Sequence, residues 1–228
     1  MNHPPRRNWL VAAVVASLLT LGPIAVRGDD ADDAREADKD LAKQGWVVDS
    51  LHLEGGDQPG VRHFLAVGRI RLPVDPVWLA MANQNDQDWP GLNDVVREYA
   101  NGDTMISRYK LGVPIYADRV YRLRVVNDHP TRTMMFDQIP GYGNVKEIKG
   151  RWSTSALSDT LSLVTYDLYS DPGVKWIPGF IVNWVTKREI PHVFEHLYKA
   201  ARNQMERTAG KNGEPESRSE NVSDIGGR

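Results

Sequence analysis

Between residues 45 and 205 the apolar residues recur mostly at every second position. This period is typical of β-strands that bury one face, and the segments are rich in β-branched and aromatic residues. Turns containing Pro, Gly, Asn or Asp separate them. The pattern predicts a hairpin followed by an antiparallel meander of five strands. The expected strands are 45–53, 61–72, 104–111, 119–127, 131–138, 145–154 and 160–169.

Helical spacing replaces the alternation between residues 73 and 94. Pro76 suits the first turn of a helix, and Val77, Trp78 and Met81 follow at helical spacing. Asn93-Asp94 come after a Trp-Pro-Gly break and suit the start of a second helix. We therefore expect two short helices here.

A long amphipathic helix is predicted to close the domain, from residue 176 to about residue 205. Pro191 lies inside it and removes a backbone donor, so we expect a kink or a break into two helices. The residues of its apolar face are Phe180, Ile181, Trp184, Val185, Val193, Leu197 and Ala201.

This element order predicts an α+β fold of the helix-grip kind, in residues 45–206. A curved antiparallel sheet would wrap around the long C-terminal helix, with the two short helices beside it, and leave an elongated apolar cavity. The acidic, Ala-rich residues 29–44 should form a spacer or a short solvated helix. Residues 207–228, rich in Gly, Ser, Glu and Asn, should be a disordered tail.

The N-terminal residues 1–28 have the features of a secretory signal peptide. Two arginines precede a mostly apolar run of 13 residues, and Val26 and Gly28 are small enough for signal peptidase. A run of 13 is short for a membrane helix, which favours a cleaved signal peptide. An uncleaved membrane anchor is the alternative. We expect a periplasmic or secreted protein.

Charge and cysteine content limit the partners. Without residues 1–28 the chain has 25 basic and 30 acidic residues, a formal net charge of −5, which makes nucleic acid an unsuitable partner. No cysteine is present for a disulfide or a lipid anchor, so the core alone must hold the fold. We expect a monomer that can contact a membrane transiently.

One motif suggests metal chemistry. The sequence HVFEH matches H-x-x-E-H, in which two histidines one helical turn apart bind zinc and the glutamate acts as general base. His192, Glu195 and His196 would fill these roles. The third ligand in that class is a downstream glutamate, for which Glu206 and Glu214 are poor candidates.

The same segment has a simpler structural interpretation. Val193 and Leu197 form an apolar stripe that suits docking on a sheet, so we expect no metal and no cofactor. The sequence also has no cysteine nucleophile, no G-x-S-x-G elbow, no G-x-G-x-x-G and no P-loop. We therefore assign no catalytic residue.

A set of short motifs is spread over residues 45 to 205. They are Gly45-Trp46, VGRIRLPVDPVWLAMANQNDQDWPGL, Pro114 with Asp118-Arg119, Gly150-x-Trp152, Thr165-Tyr166, SDPG (170–173), Ile177-Pro178 and Asn183. In their order and spacing these residues resemble the START-like (SRPBCC) superfamily, particularly its bacterial polyketide cyclase/coenzyme Q-binding branch. The resemblance departs at ADRV (117–120), where a second acid is missing after the arginine.

The resemblance implies a fold that holds sterols, phospholipids, quinones or polyketides between sheet and helix. Aromatic residues and methionines would provide the adaptable lining, and two arginines would meet a polar head group. Core packing and surface salt bridges are the alternatives for single residues. The candidate lining residues are Met81, Met105, Tyr109, Arg119, Tyr121, Met134, Trp152, Tyr166, Trp176, Phe180, Trp184 and Arg188.

Two functional classes remain open, beside a third, a protein-interaction module whose cavity is filled by side chains. The first is an exported, non-enzymatic binder or carrier of a lipid-like molecule of the lipid, quinone or polyketide class. The alternative is a cyclase or hydrolase that uses the same cavity, for which an acid and a histidine should converge inside it.

We predict that the mature chain begins at Asp29, because Val26-Arg27-Gly28 follows the apolar run. N-terminal sequencing of protein recovered from the periplasm or medium should show this end. A recovered protein that begins at Met1 would contradict the prediction.

Overall fold

The computed structural model describes residues 32–55, 61–83, 92–111, 118–173, 188 and 190–211. These residues form three helices and eight strands. The helices are α1 (Asp32–Gln44), α2 (Val74–Ala82) and α3 (Ile190–Lys211). The strands are β1 (Trp46–Gly55), β2 (Arg62–Ile70), β3 (Leu92–Asn101), β4 (Thr104–Leu111), β5 (Arg119–Asp128), β6 (Thr133–Gln138), β7 (Glu147–Ser158) and β8 (Leu161–Asp171).

The eight strands form one antiparallel sheet with the order β1-β2-β8-β7-β6-β5-β4-β3. Strands β3 to β8 are a meander, and pairing of β2 with β8 joins the N-terminal hairpin to its end. Successive residues alternate between buried and more exposed positions along β2, β5 and β8. The buried residues share one face, which we call the concave face, and α3 packs against it.

Helix α3 rests on β2 through an unusually close contact. The ring of Phe194 lies over Gly68, where an added Cβ would come within 2.6 Å of the ring and 2.4 Å of the Val47 carbonyl oxygen. One turn later, Tyr198 packs on Gly45, whose φ of +85° also suits glycine. Helix α2 packs against α3 and completes the cover at this end of the sheet.

The acidic segment before the sheet is helical rather than an irregular spacer. Helix α1 buries Leu41 and contacts β1. Arg69 of β2 donates to Asp38 of α1 at 2.8 Å and also forms a bidentate pair with Asp49 of β1. These contacts hold α1 against the first hairpin.

The predicted α+β helix-grip arrangement is confirmed, with one correction at residue 93. Asn93-Asp94 do not start a helix, because β3 covers Leu92–Asn101. This strand could not be recognised from the sequence for two reasons. Register shifts at Leu92/Asp94 and Arg97/Tyr99 break its period of two, and its edge position leaves Val95 and Tyr99 exposed.

The C-terminal helix ends later than expected. Helix α3 extends to Lys211, beyond the predicted end near 205 and into the segment expected to be disordered from 207. An Arg202–Glu206 ion pair spans one turn there, and the Thr208 hydroxyl donates to the Gln204 carbonyl. Pro191 lies in the first turn of α3, where a missing N–H is tolerated.

Several sequence predictions lie outside the described residues. They are the signal segment 1–28, the tail from 212 to 228, and the helix before Arg188. Among the described residues, no helix is long and apolar enough to span a membrane.

We predict that Gly68→Ala destabilises the protein by about 1–3 kcal/mol or more, because the new methyl group must displace a backbone oxygen or the Phe194 ring. Gly55→Ala is the matched strand control, since the nearest atom to its added Cβ lies at 3.6 Å. Urea denaturation should show the difference. Equal stability of the two variants would contradict the close helix contact.

Candidate ligand-binding face

The concave face is continuous across the sheet because inward residues of neighbouring strands are in register. One apolar row crosses six strands, each member paired with the next. This row consists of Phe64, Leu168, Gly150, Phe136, Val125 and Met105. A parallel row runs Ala66, Tyr166, Trp152, Met134 and Asn127.

Aromatic rings stack at the centre of this face. Trp152 and Tyr166, directly paired on β7 and β8, stack with centroids 3.9 Å apart. Phe64 meets Tyr166 edge-on at 5.4 Å, and Phe194 of α3 approaches Trp152 at 6.3 Å. The cluster links sheet and helix through flat, rigid apolar surfaces.

A second aromatic pair lies toward β4. Tyr109 and Tyr121 are opposite each other and stack at 5.3 Å. Burial raises the pKa of Tyr109 to about 12, while a hydrogen bond with Ser107 and the charge of Arg97 act in the opposite direction. Burial also raises the pKa of Tyr121 and of Tyr166 well above the ordinary value of 10. These phenols are therefore neutral at physiological pH.

The structure brings together most of the predicted lining residues that it describes. Arg119 is buried on the same face of β5 as Tyr121, whereas Arg188 is exposed. Trp176, Phe180 and Trp184 lie outside the described residues. The predicted residues that are buried on the strands of the concave face or on α2 are Met81, Met105, Tyr109, Arg119, Tyr121, Met134, Trp152 and Tyr166.

Sequence reasoning missed two polar residues of this face. Arg62, at the start of β2, is only 5% exposed and shares the inward phase of Phe64 and Ala66. Gln138, at the end of β6, donates to the Val145 carbonyl at 2.8 Å and keeps its Oε1 buried. The alternation of β2 was the available signal, because it places position 62 on the buried side.

The opposite, convex face carries charged residues that neutralise one another. His63 Nε2 lies 2.7 Å from Asp167, and Arg151 lies 3.7 Å from the same carboxylate. Lys149 pairs with Glu147. An open depression of about 690 Å³ is lined by His63, Met135, Phe136, Asp137, Lys149, Gly150, Arg151, Asp167 and Tyr169.

The HVFEH segment lies in α3, where it contributes to packing. Val193 and Phe194 are buried in the core. The apolar stripe predicted this burial for Val193. The Glu195 carboxylate pairs with Lys199 one turn on, and this hydrogen bond lowers the pKa of Glu195. Within the described ranges, no three His, Asp or Glu side chains are grouped as metal ligands would be.

We predict that three of the eight tyrosines resist ionisation. Because the pKa of Tyr109, Tyr121 and Tyr166 is raised in the folded state, their contribution to stability is complete below pH 10 and is lost as the pH rises toward and beyond about 12. Ultraviolet titration should show that these three tyrosines ionise only in a phase that coincides with unfolding.

Tyr121→Phe should reduce the loss of stability above pH 10. A single ionisation phase of all tyrosines, with an unchanged circular dichroism spectrum, would contradict the burial of these rings.

Comparison with solved structures identifies the fold. A STAR-related lipid transfer protein from Xanthomonas axonopodis aligns with a TM-score of 0.56 at 16% identity, over 80% of this chain and 99% of its own. Zhui aromatase/cyclase from Streptomyces sp. R1128 aligns with a TM-score of 0.50 at 16% identity, over 68% of this chain and 99% of its own. No family model and no curated sequence matches. The sheet order, the C-terminal helix and these alignments show that the chain has the START-like (SRPBCC) fold.

Proposed function

We propose that this protein binds and carries a hydrophobic, lipid-like small molecule between the concave face and the C-terminal segment. The observation that carries the proposal is the continuous inward surface of β2 and β4–β8, in which aromatic and aliphatic side chains follow one another in register. Such a surface with a few polar groups is typical of sites for apolar ligands.

The composition of this face supports binding rather than catalysis. The inward positions described on β2 and β4–β8 hold apolar, aromatic, hydroxyl, amide and guanidinium groups, and none holds an aspartate, glutamate or histidine. The His63–Asp167 pair lies on the convex face. The two solved structures are named as a lipid transfer protein and an aromatase/cyclase, so the cyclase or hydrolase alternative is part of the test below.

The site of action that we propose is outside the cytoplasm, in the periplasm or the medium. The support is the N-terminal sequence, with two arginines, an apolar run and small residues before Asp29.

We expect the protein to retain its ligand through purification. Native mass spectrometry of protein purified from its own compartment should show an added mass, and organic extraction should release a hydrophobic molecule of the lipid, quinone or polyketide class. Release of a chemically altered product during incubation with the extracted molecule would favour the enzyme. A homogeneous ligand-free protein that binds none of these classes on addition would contradict the proposal.

Trp184→Phe provides a site-directed test. Phe180, Trp184 and Arg188 recur every fourth residue, so their side chains would share one strip if this segment is helical. If this strip faces the ligand, the smaller ring should weaken binding of a fluorescent lipid analogue about fivefold, since about 1 kcal/mol of apolar contact is lost. The melting temperature should be almost unchanged.

Trp46→Phe, at the start of β1, is the matched control and should bind like the wild type. Wild-type affinity in Trp184→Phe would remove Trp184 from the site.

A further inference from the structure

Arg62 is a buried cation on a face that is otherwise mainly apolar. It is the first residue of β2, only 5% exposed, and it is paired with Ser170 of β8 on one side and Gly55 of β1 on the other. Two residues further along β2, about 7 Å away, lies Phe64, a member of the apolar row. The guanidinium is therefore near the edge of the apolar surface.

The hydrogen-bonding capacity of this guanidinium is only partly used. Nη1 donates to the adjacent Val61 carbonyl, and buried Nη2 has no partner among the described residues. Among the residues that the structure describes, no carboxylate forms an ion pair with this guanidinium. Burial lowers the pKa of Arg62. A buried charge without a counter-ion is costly, so an anion at this position would be strongly favoured.

Other polar groups continue from Arg62 across the sheet. Ser170 is buried beside it. Gln138 follows Asp137 on β6, and Asp137 pairs with Lys149 of β7, so Gln138 lies in the same cross-strand row as Arg62 and Ser170. The buried Oε1 of Gln138 also has no donor among the described residues. Arg62, Ser170 and Gln138 therefore share one cross-strand row with the buried apolar residues Ile148 and Leu123, and the neighbouring row, which begins at Phe64, is apolar throughout.

We propose that Arg62 anchors the anionic head group, a carboxylate or a phosphate monoester, of an amphipathic ligand whose apolar body lies along the Phe64 row. This inference rests on the proposed function and specifies its ligand class. A guanidinium offers two parallel N–H donors to such a head group and strengthens both through its charge. The Gln138 oxygen can accept from a hydroxyl group of the ligand.

The test compares ligands that differ only in the head group. Hexadecanoic acid and hexadecanol displace a fluorescent lipid analogue from wild type, Arg62→Met and Arg151→Met. Wild type should bind the acid about tenfold more tightly than the alcohol, as expected for a charge-assisted hydrogen bond. Arg62→Met should lose this preference and keep its affinity for the alcohol. Arg151 lies on the convex face, so Arg151→Met should behave like wild type.

The outcomes separate this inference from the proposed function. Equal binding of acid and alcohol by wild type, or an acid preference that survives in Arg62→Met, would overturn the anchoring role while leaving a hydrophobic binder. Failure of both ligands, with failure of the extraction experiment, would overturn the proposed function itself.

Two further measurements cover the remaining possibilities. If Arg62→Met does not fold, Ser170→Asp serves instead, because it places a carboxylate opposite Arg62 and should abolish the acid preference without affecting the alcohol. Hexadecyl phosphate should bind more tightly than hexadecanol, as hexadecanoic acid does, whereas inorganic phosphate should not displace the analogue. Displacement by inorganic phosphate alone would mean a free anion site and would overturn the amphipathic ligand.

Discussion

The close approach of α3 to β2 at Gly68 governs how this molecule is assembled. Without a side chain at this position, the Phe194 ring can lie directly on the strand, and the same ring reaches Trp152 on β7. Burial of these rings removes a large apolar surface from water in one place. Because Tyr198 makes a similar contact at Gly45, the helix is fixed at two successive turns.

The described contacts of α3 and the buried Arg62 lie at different levels of the concave face. The described contacts of α3 concentrate at the Gly68 and Gly45 levels, where the core is well packed. Arg62 lies six residues from Gly68 along β2, about 20 Å away. The buried guanidinium is thus far from the described helix contacts, as an amphipathic ligand with its head group anchored at Arg62 would require.

The convex face stabilises the sheet through pairs of polar and charged side chains. Its charges are arranged across neighbouring strands, as in the Arg124–Asp137 pair between β5 and β6 and the His63–Asp167 pair between β2 and β8. Such cross-strand pairs each contribute modestly. The Arg69 interactions with Asp38 and Asp49 extend this principle to α1 and attach the acidic N-terminal helix to the hairpin.

The sequence by itself determined the strands with a clean period of two, and with them the inward positions of Met105, Tyr121 and Trp152, because a strand that buries one face must alternate. It did not determine β3, whose bulges and exposed edge break that alternation. Nor did it determine that α1 docks, since this depends on Leu41 and on Arg69, 28 positions later in the chain. Only the tertiary structure decided that Arg62 is buried beside Ser170. An arginine at the start of a strand is ordinarily solvated, and its burial depends on the pairing of β2 with β8, which places Arg62 opposite Ser170, 108 positions later in the chain.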